Sequence, residues 1–241
     1  FLWVKDTKKP QRIDRHIVSS SFSQLKSTFG EIRKYRQMTR FLLARLLYND
    51  GLITIFAFGG IYASGTFGFT FNEIFLFGIV LNVTAGLGAF GLGFLDDILG
   101  GKKTIQLSNI GLIIACLIAV TTPNEDLFFV NYPSIGISFM LTGKMLFWIA
   151  GALIGVFAGP NQSASRSLMA RFIPKEKESE FFGFFAFSGK ATAFIGPLLL
   201  GVITEVFNSQ RLGIAVVAVL LALGAILLNG VDEEKGITSA G

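Results

Sequence analysis

Residues 41–62 read FLLARLLYNDGLITIFAFGGIY, an apolar run interrupted by only two charged side chains, Arg45 and Asp50. An α-helix needs about 20 mostly apolar residues to cross the ~30 Å hydrocarbon core of a bilayer. A core helix of a soluble protein seldom runs that long without a polar face. Five more stretches of the same kind follow, at 74–95, 104–121, 137–159, 181–203 and 212–230. The pattern predicts an all-α membrane protein with six transmembrane helices. A basic linker at 1–40 precedes them and a short tail at 231–241 follows. Hydrophobic residues make up 51% of the chain and charged residues 15%, with a mean hydropathy of +0.61. Soluble domains carry about 25% charge, so composition agrees with the spans.

The net charge of +5 invites a nucleic-acid reading, and its distribution excludes one. The basic residues gather at 1–40 (Lys5, Lys8, Lys9, Arg12, Arg15, Lys26, Arg33, Lys34, Arg36 and Arg40), at Lys102 and Lys103, and at Arg166, Arg171, Lys175 and Lys177. The alternate connections are poor in them: 65–73 holds none, and 123–136 holds only the acids Glu125 and Asp126. Cytoplasmic loops carry an excess of Lys and Arg. Both ends of the chain and the loops near Lys102 and Arg171 are therefore expected in the cytoplasm. Phe1, Leu2, Trp3 and Val4 run straight into Lys5. Aromatic residues followed by cations mark the end of a membrane helix, so this opening reads as the tail of a preceding span in a longer protein. Phe22, Leu25, Phe29 and Ile32 recur at helical spacing and suit an amphipathic surface helix within 19–37, or a plain connector. The single cysteine, Cys116, can form no intrachain disulfide, and the single histidine, His16, lies in the charged linker. No cofactor or metal is expected.

The strongest local motif follows the second span: Gly93-Phe94-Leu95-Asp96-Asp97-Ile98-Leu99-Gly100-Gly101-Lys102-Lys103. Glycines permit a tight turn between two helices, lysines hold the loop on the cytoplasmic side, and a carboxylate here can face the positive end of a neighbouring helix. The spacing resembles the loop signature of the major facilitator superfamily, Gly-x-x-x-Asp-(Arg/Lys)-x-Gly-x-(Arg/Lys)-(Arg/Lys). Gly93, Asp97, Gly100, Lys102 and Lys103 fit, and Ile98 departs from the usual basic residue. Longer stretches resemble the vacuolar effluxer-like, autophagy-related branch of that superfamily and its bacterial relatives. They are RLLYNDGL at 45–52, FAFGGIY at 56–62, GPNQSASRS at 159–167 and EFFGFFAFSGK at 180–190. The resemblance covers the chain from about residue 40 onward. It implies the C-terminal six-helix half of a twelve-helix transporter, in the inner membrane of a bacterium or the vacuolar membrane of a fungus. In fungal members it implies export of neutral amino acids.

Ionisable groups inside a membrane helix are costly and mark function by default. Asp50 and Lys190 each lie nine residues into a span entering from the cytoplasm, about 14 Å deep. Opposite charges at one depth are expected to pair, either lining the transport path or fixing helix packing. Arg45 and Lys144 sit nearer the ends and are expected to snorkel, with Asn49 one turn beyond Arg45. Asn82 needs a polar contact in the pathway. Asn161, Gln162 and Arg166 suit an inner gate or ordinary helix capping. Gly151, Gly155 and Gly159 on one helix, and Ala85, Gly86, Gly88 and Gly93 on another, suit close helix approach. Gly196-Pro197 is expected to bend the fifth span. The Phe-rich run 181–187 reads as packing rather than a binding box.

Half of a secondary transporter, working by alternating access around a midplane site, is the function these features favour. It needs the bilayer, a small solute, and a missing N-terminal half or a second copy. No Gly-x-x-x-x-Gly-Lys-(Ser/Thr) is present to bind ATP, and the chain is expected not to be an enzyme. An intramembrane aspartyl protease would need two carboxylates at one site. Tyr48-Asn49-Asp50 has an inserted residue for that motif, and Gly91-Leu92-Gly93-Phe94 has Phe where Asp is required, with Asp96 and Asp97 at a helix end. A non-transporting scaffold or receptor is the third reading. The charge asymmetry gives a direct test: with Cys116 replaced, a membrane-impermeant thiol reagent added outside should label Asp126→Cys and spare Lys175→Cys. The opposite pattern would invert the topology.

Overall fold

The computed structural model describes residues 30–31, 34–123, 128–132 and 137–240, with the backbone alone at 128–132 and 137–141. The segment 1–29, most of the expected surface helix at 19–37, and Glu125 and Asp126 lie outside the described residues. The elements in order are α1 (Arg36–Phe67), α2 (Phe71–Leu92), a short α3 (Leu95–Leu99) and α4 (Gly101–Thr121). A hairpin of β1 (Phe128–Tyr132) and β2 (Ile137–Leu141) comes next, then α5 (Gly143–Phe172) and a 3-10 turn (Lys175–Lys177). The chain ends with α6 (Glu178–Ala191), α7 (Ile195–Phe207), α8 (Gln210–Asn229) and a short α9 (Glu233–Thr238). Six helical stretches are long and apolar enough to span a membrane: α1, α2, α4, α5, α6 with α7, and α8. The fold is an all-α, six-helix membrane bundle.

Local chemistry sets the boundaries. Gly68 ends α1 in the left-handed region (φ 64°), donating to Ala63 O and Ser64 O. Thr70 then opens α2 with a capping box to Glu73. The fourth span differs from the expected 137–159. Residues 137–141 pair antiparallel with 128–132, Ile137 opposite Tyr132, and the helix starts at Gly143 because Thr142 accepts from the Met145 N–H. It then runs past Gly159 to Phe172. Pro160 offers no N–H to Val156 O, four residues back. Gly88 of α2 lies against that carbonyl, and any side chain there would overlap it.

Small residues set the other contacts. Gly151 faces Phe77, Gly155 faces Thr84 and Leu81 O, and Gly159 faces Ala85 O, so α2 and α5 meet along a ladder of glycines. Gly86 meets no neighbour. Gly224 of α8 seats against Tyr48 and Ala44 O of α1. Helix α4 packs on α5 and α8. Only 17% of the apolar window of α2 and 22% of that of α6–α7 is buried, against 44–50% in the other four spans. Those two spans present the open faces of the bundle.

The fifth span is two helices. The chain leaves the α-helix after Ala191 through tight turns, Ala193 N–H to Lys190 O and Ile195 N–H to Thr192 O. In a continuous helix the Pro197 ring would collide with the Ala193 carbonyl, so the break falls one turn before the proline.

At the end holding Lys102 and Arg171, the charges form a network. Arg171 of α5 pairs with Asp96 of α3 and, at 3.3 Å, with Glu233 of α9. The Glu233 carboxylate caps α4, accepting from Gly101 N–H (3.0 Å) and Lys102 N–H (2.9 Å), where a negative charge meets the positive helix end. Lys102 Nζ donates to Asn229 O (3.0 Å) and Arg40 Nη1 to Gly230 O (3.0 Å). The Asp232 N–H donates to Gln37 (2.9 Å). The expected tail is thus latched across α1, α4 and α5 by Asp232 and Glu233. The expected carboxylate contact shifts by one residue. Asp96 makes the ion pair and Glu233 the helix-end contact, while Asp97 is exposed. One step along a helix rotates a side chain by about 100°, which turns Asp97 away. Gly100, at φ 87°, is the turn residue that needs to be glycine; Gly93 lies in the turn before α3 and Lys103 is exposed.

Asp96→Asn should lower the thermal stability of the full-length protein in detergent, by roughly 1–3 kcal/mol for a lost charge-assisted bond, whereas Asp97→Asn should stay within about 0.5 kcal/mol. Equal losses would return the contact to Asp97. Gly88→Leu should destabilise by overpacking, typically ~1–3 kcal/mol; an unchanged melting curve would mean that α2 and α5 do not meet at Val156.

Candidate functional site

The central turns of α1 carry Arg45, Tyr48, Asn49 and Asp50, and helical geometry sends them to different neighbours. Tyr48 is buried against α5 and its hydroxyl lies 2.8 Å from Ser165 Oγ. Ser165 donates its own proton to Asn161 O at 2.6 Å, so Tyr48 is the donor to Ser165. Asn161 Nδ2 donates to Asn109 Oδ1 of α4 at 2.9 Å. A buried polar chain therefore links α1, α5 and α4. Hydrocarbon offers such groups no alternative partner.

Arg45 and Asn49 turn to α6. The Arg45 guanidinium lies over the Phe185 ring, 3.6 Å from its centroid, and Nη1 donates to Phe185 O at 3.2 Å. Asn49 Nδ2 donates to Gly189 O at 3.2 Å. Any side chain at Gly189 would press on Arg45. The expected snorkelling of Arg45 gives way to this contact, because Phe185 supplies both a ring face and a carbonyl for the charge. Arg45, Tyr48, Asn49, Asn161, Gln162, Ser165 and Arg166 together line a cavity of about 30 Å³, room for about one water. The structure thus brings Arg45 and Asn49 beside Asn161, Gln162 and Arg166. These last three lie inside α5, which runs on to Phe172, and so do not cap it. Asn161 is buried, while Gln162 and Arg166 are exposed.

Asp50 turns to α7. It is 2% exposed, and Oδ2 accepts from Gly196 N–H at 2.6 Å, while Oδ1 has no partner among the described residues. The expected ion pair with Lys190 does not form. Lys190 ends α6 on an exposed face, and the break after Ala191 turns the chain so that Gly196 reaches Asp50 instead.

Asn82 Nδ2 donates within its own helix to Gly78 O at 2.8 Å. With Gly59, Gly60, Ser64, Gly78 and Gln210 it lines a groove of about 680 Å³ between α1 and α2. Lys144 lies in the first turn of α5, because that helix starts at Gly143 and not at residue 137. It pairs with Glu73 at 3.1 Å and sits over the Phe69 ring at 5.2 Å, tying α5 to α2. Phe181 packs edge-on to Tyr35 at 5.8 Å, and with Phe185 it gives the Phe-rich run two buried rings. Asp50 and Asp96 hold separate partners on α7 and α5, so no carboxylate dyad forms from them. The sequence marks Tyr48 only through the protease comparison, and gives Ser165 and Asn109 no role of their own. Asn109 is findable as an amide deep inside an apolar span; Tyr48 and Ser165 look like ordinary packing until their helices are docked.

The sequence family described as Vacuole effluxer Atg22 like matches residues 1–241. A Bacillus subtilis (strain 168) protein, named Uncharacterized MFS-type transporter YxiO, is 29% identical over 219 residues, 91% of this chain and 46% of its own length. Autophagy-related protein 22 of Kluyveromyces lactis is 26% identical over 215 residues, 89% of this chain and 42% of its own. Autophagy-related protein 22-1 of Aspergillus fumigatus is 25% identical over 248 residues, 98% of this chain and 40% of its own. The chain spans less than half the length of these relatives. With six membrane-spanning helices and a match along its whole length, the chain belongs to the Vacuole effluxer Atg22-like family of transporters.

Proposed function

We propose that this chain works as the C-terminal half of a secondary transporter, moving a small solute across the membrane by alternating access. The observation that carries the reading is Lys190, an exposed cation near the middle of the fifth span. A charge at that depth does not face lipid; it faces water or another part of the protein. Arg45 and Asn49 hold the adjoining Phe185 and Gly189 carbonyls, and Gln162 and Arg166 open from the same small cavity. This polar seam suits a water-filled path covered by an N-terminal half. Two further observations support that partner: the poorly buried α2 and α6–α7, and relatives more than twice as long as the matched region. The latched end with Arg171 and Lys102 is assigned to the cytoplasm by its basic charge.

The proposed substrate class is neutral amino acids. The family is described as effluxer-like and the Bacillus subtilis relative as a transporter, and two arginines near one cavity suit a carboxylate.

The full-length protein, purified into liposomes preloaded with unlabelled leucine, should take up labelled leucine by exchange. Lys190→Met and Arg166→Ala should each reduce that uptake by about tenfold, as loss of one charged contact in a path would, with the melting temperature little changed. No exchange with any neutral amino acid would overturn the substrate class. Undiminished exchange in both variants would remove the seam from the path.

A further inference from the structure

The break between α6 and α7 leaves the Gly196 N–H without a backbone acceptor. Ile195 N–H is taken by Thr192 O and Leu198 N–H by Phe194 O, and Pro197 has no N–H. Gly196 N–H remains, and it goes to Asp50 Oδ2 at 2.6 Å. The fit is close: a side chain at Gly196 would overlap Thr54 Oγ1 and touch Asp50 Oδ2. Thr54 is fully buried and donates to Asp50 O at 2.7 Å, so its proton is already spent.

Asp50 Oδ1 is buried with no partner among the described residues. Among the described residues, no cation is paired with it. On α1 itself, Arg45 lies on Phe185 and Tyr48 on Ser165. From α6, Lys190 is exposed and makes no ion pair with Asp50. From α7, the one titratable side chain is Glu205, more than two turns past Gly196. From α8, Gly51 next to Asp50 meets Leu220 and Leu221, and Arg211 is bonded to Val120 O and lies over the Phe67 ring. On α5, Arg166 is exposed. A buried charge without a countercharge is costly. A metal cation needs several oxygens, and one free carboxylate oxygen does not supply them. A proton needs one.

We propose that Asp50 is a proton-binding site at the α6–α7 break, with the proton held on Oδ1 and exchanged with water. Oδ2 stays on the Gly196 N–H, so the carboxyl group binds or releases a proton while gripping the start of α7. An ionised carboxylate accepts a stronger hydrogen bond than a neutral carboxyl, so release of the proton tightens the seating of α7 on α1 and its binding loosens it. The coupling of this proton to solute movement rests on the transporter reading above; its binding at Asp50 does not.

The test is infrared pH titration of the full-length protein in nanodiscs, with no substrate present, from mildly acidic to mildly alkaline conditions. The wild type should show a carboxylic-acid carbonyl band that Asp50→Asn lacks and Asp50→Glu moves. Should Asp50→Asn fail to fold, the shift in Asp50→Glu carries the result. Identical carboxylic-acid bands in the wild type and both folded variants at every pH would overturn the site, and leave the transport reading untouched. An Asp50-dependent rise in melting temperature on adding sodium, with no such band, would assign the site to a metal cation and overturn it as well.

Discussion

A polar group inside a bilayer has no water to fall back on, and the buried chain Tyr48–Ser165–Asn161–Asn109 answers that constraint for this bundle. Its links cross α1, α5 and α4 at 2.8 Å and 2.9 Å. Once those three helices are held together, the rest is positioned. Gly224 lets α8 close on Tyr48, the glycine ladder lets α2 close on α5, and Arg45 and Asn49 are presented to α6. In lipid there is no general hydrophobic force between helices, so close packing and such bonds decide the arrangement.

The bundle has a fixed end and an open side. At the fixed end, Arg171 joins α3, α5 and α9, while Glu233 caps α4. At the opposite end, Lys144 and Glu73 join α5 to α2, and Phe147 and Trp148 of α5 pack face or edge on Phe67 of α1, Phe69 of the α1–α2 connection and Phe77 of α2. Between these ties, α2 and α6–α7 stay largely uncovered. Ties at the ends and exposed polar groups between them suit a unit that moves as one body against another. A broken helix in the fifth span adds a place where such motion can be taken up.

The six spans were legible because twenty-residue apolar runs have few other uses. The family was legible from four short stretches. The edges were harder. ISFML at 137–141 is apolar enough to begin a helix and β-competent enough to form a strand, and periodicity cannot separate the two in five residues. The depth of Asp50 was readable, but not its partner, because Lys190 and Gly196 are six residues apart and only the break decides which of them reaches α1. Asp96 and Asp97 are neighbours in sequence and differ by a third of a helical turn. Only the docked position of Arg171 tells them apart. Arg45 looked like an end-of-helix anchor until Phe185 was in place to receive it.

The central claim is that the face bearing Asn49, Gln162 and Lys190 borders water inside the membrane. Thiol accessibility in the full-length protein, with Cys116 replaced, tests it without knowledge of any substrate. Gln162→Cys and Lys190→Cys should react with a small, charged, membrane-impermeant thiol reagent, whereas Leu223→Cys and Ile226→Cys, exposed on α8, should not. If Gln162→Cys and Lys190→Cys are as inert as the α8 positions, that face is dry and the account of a water-filled path fails.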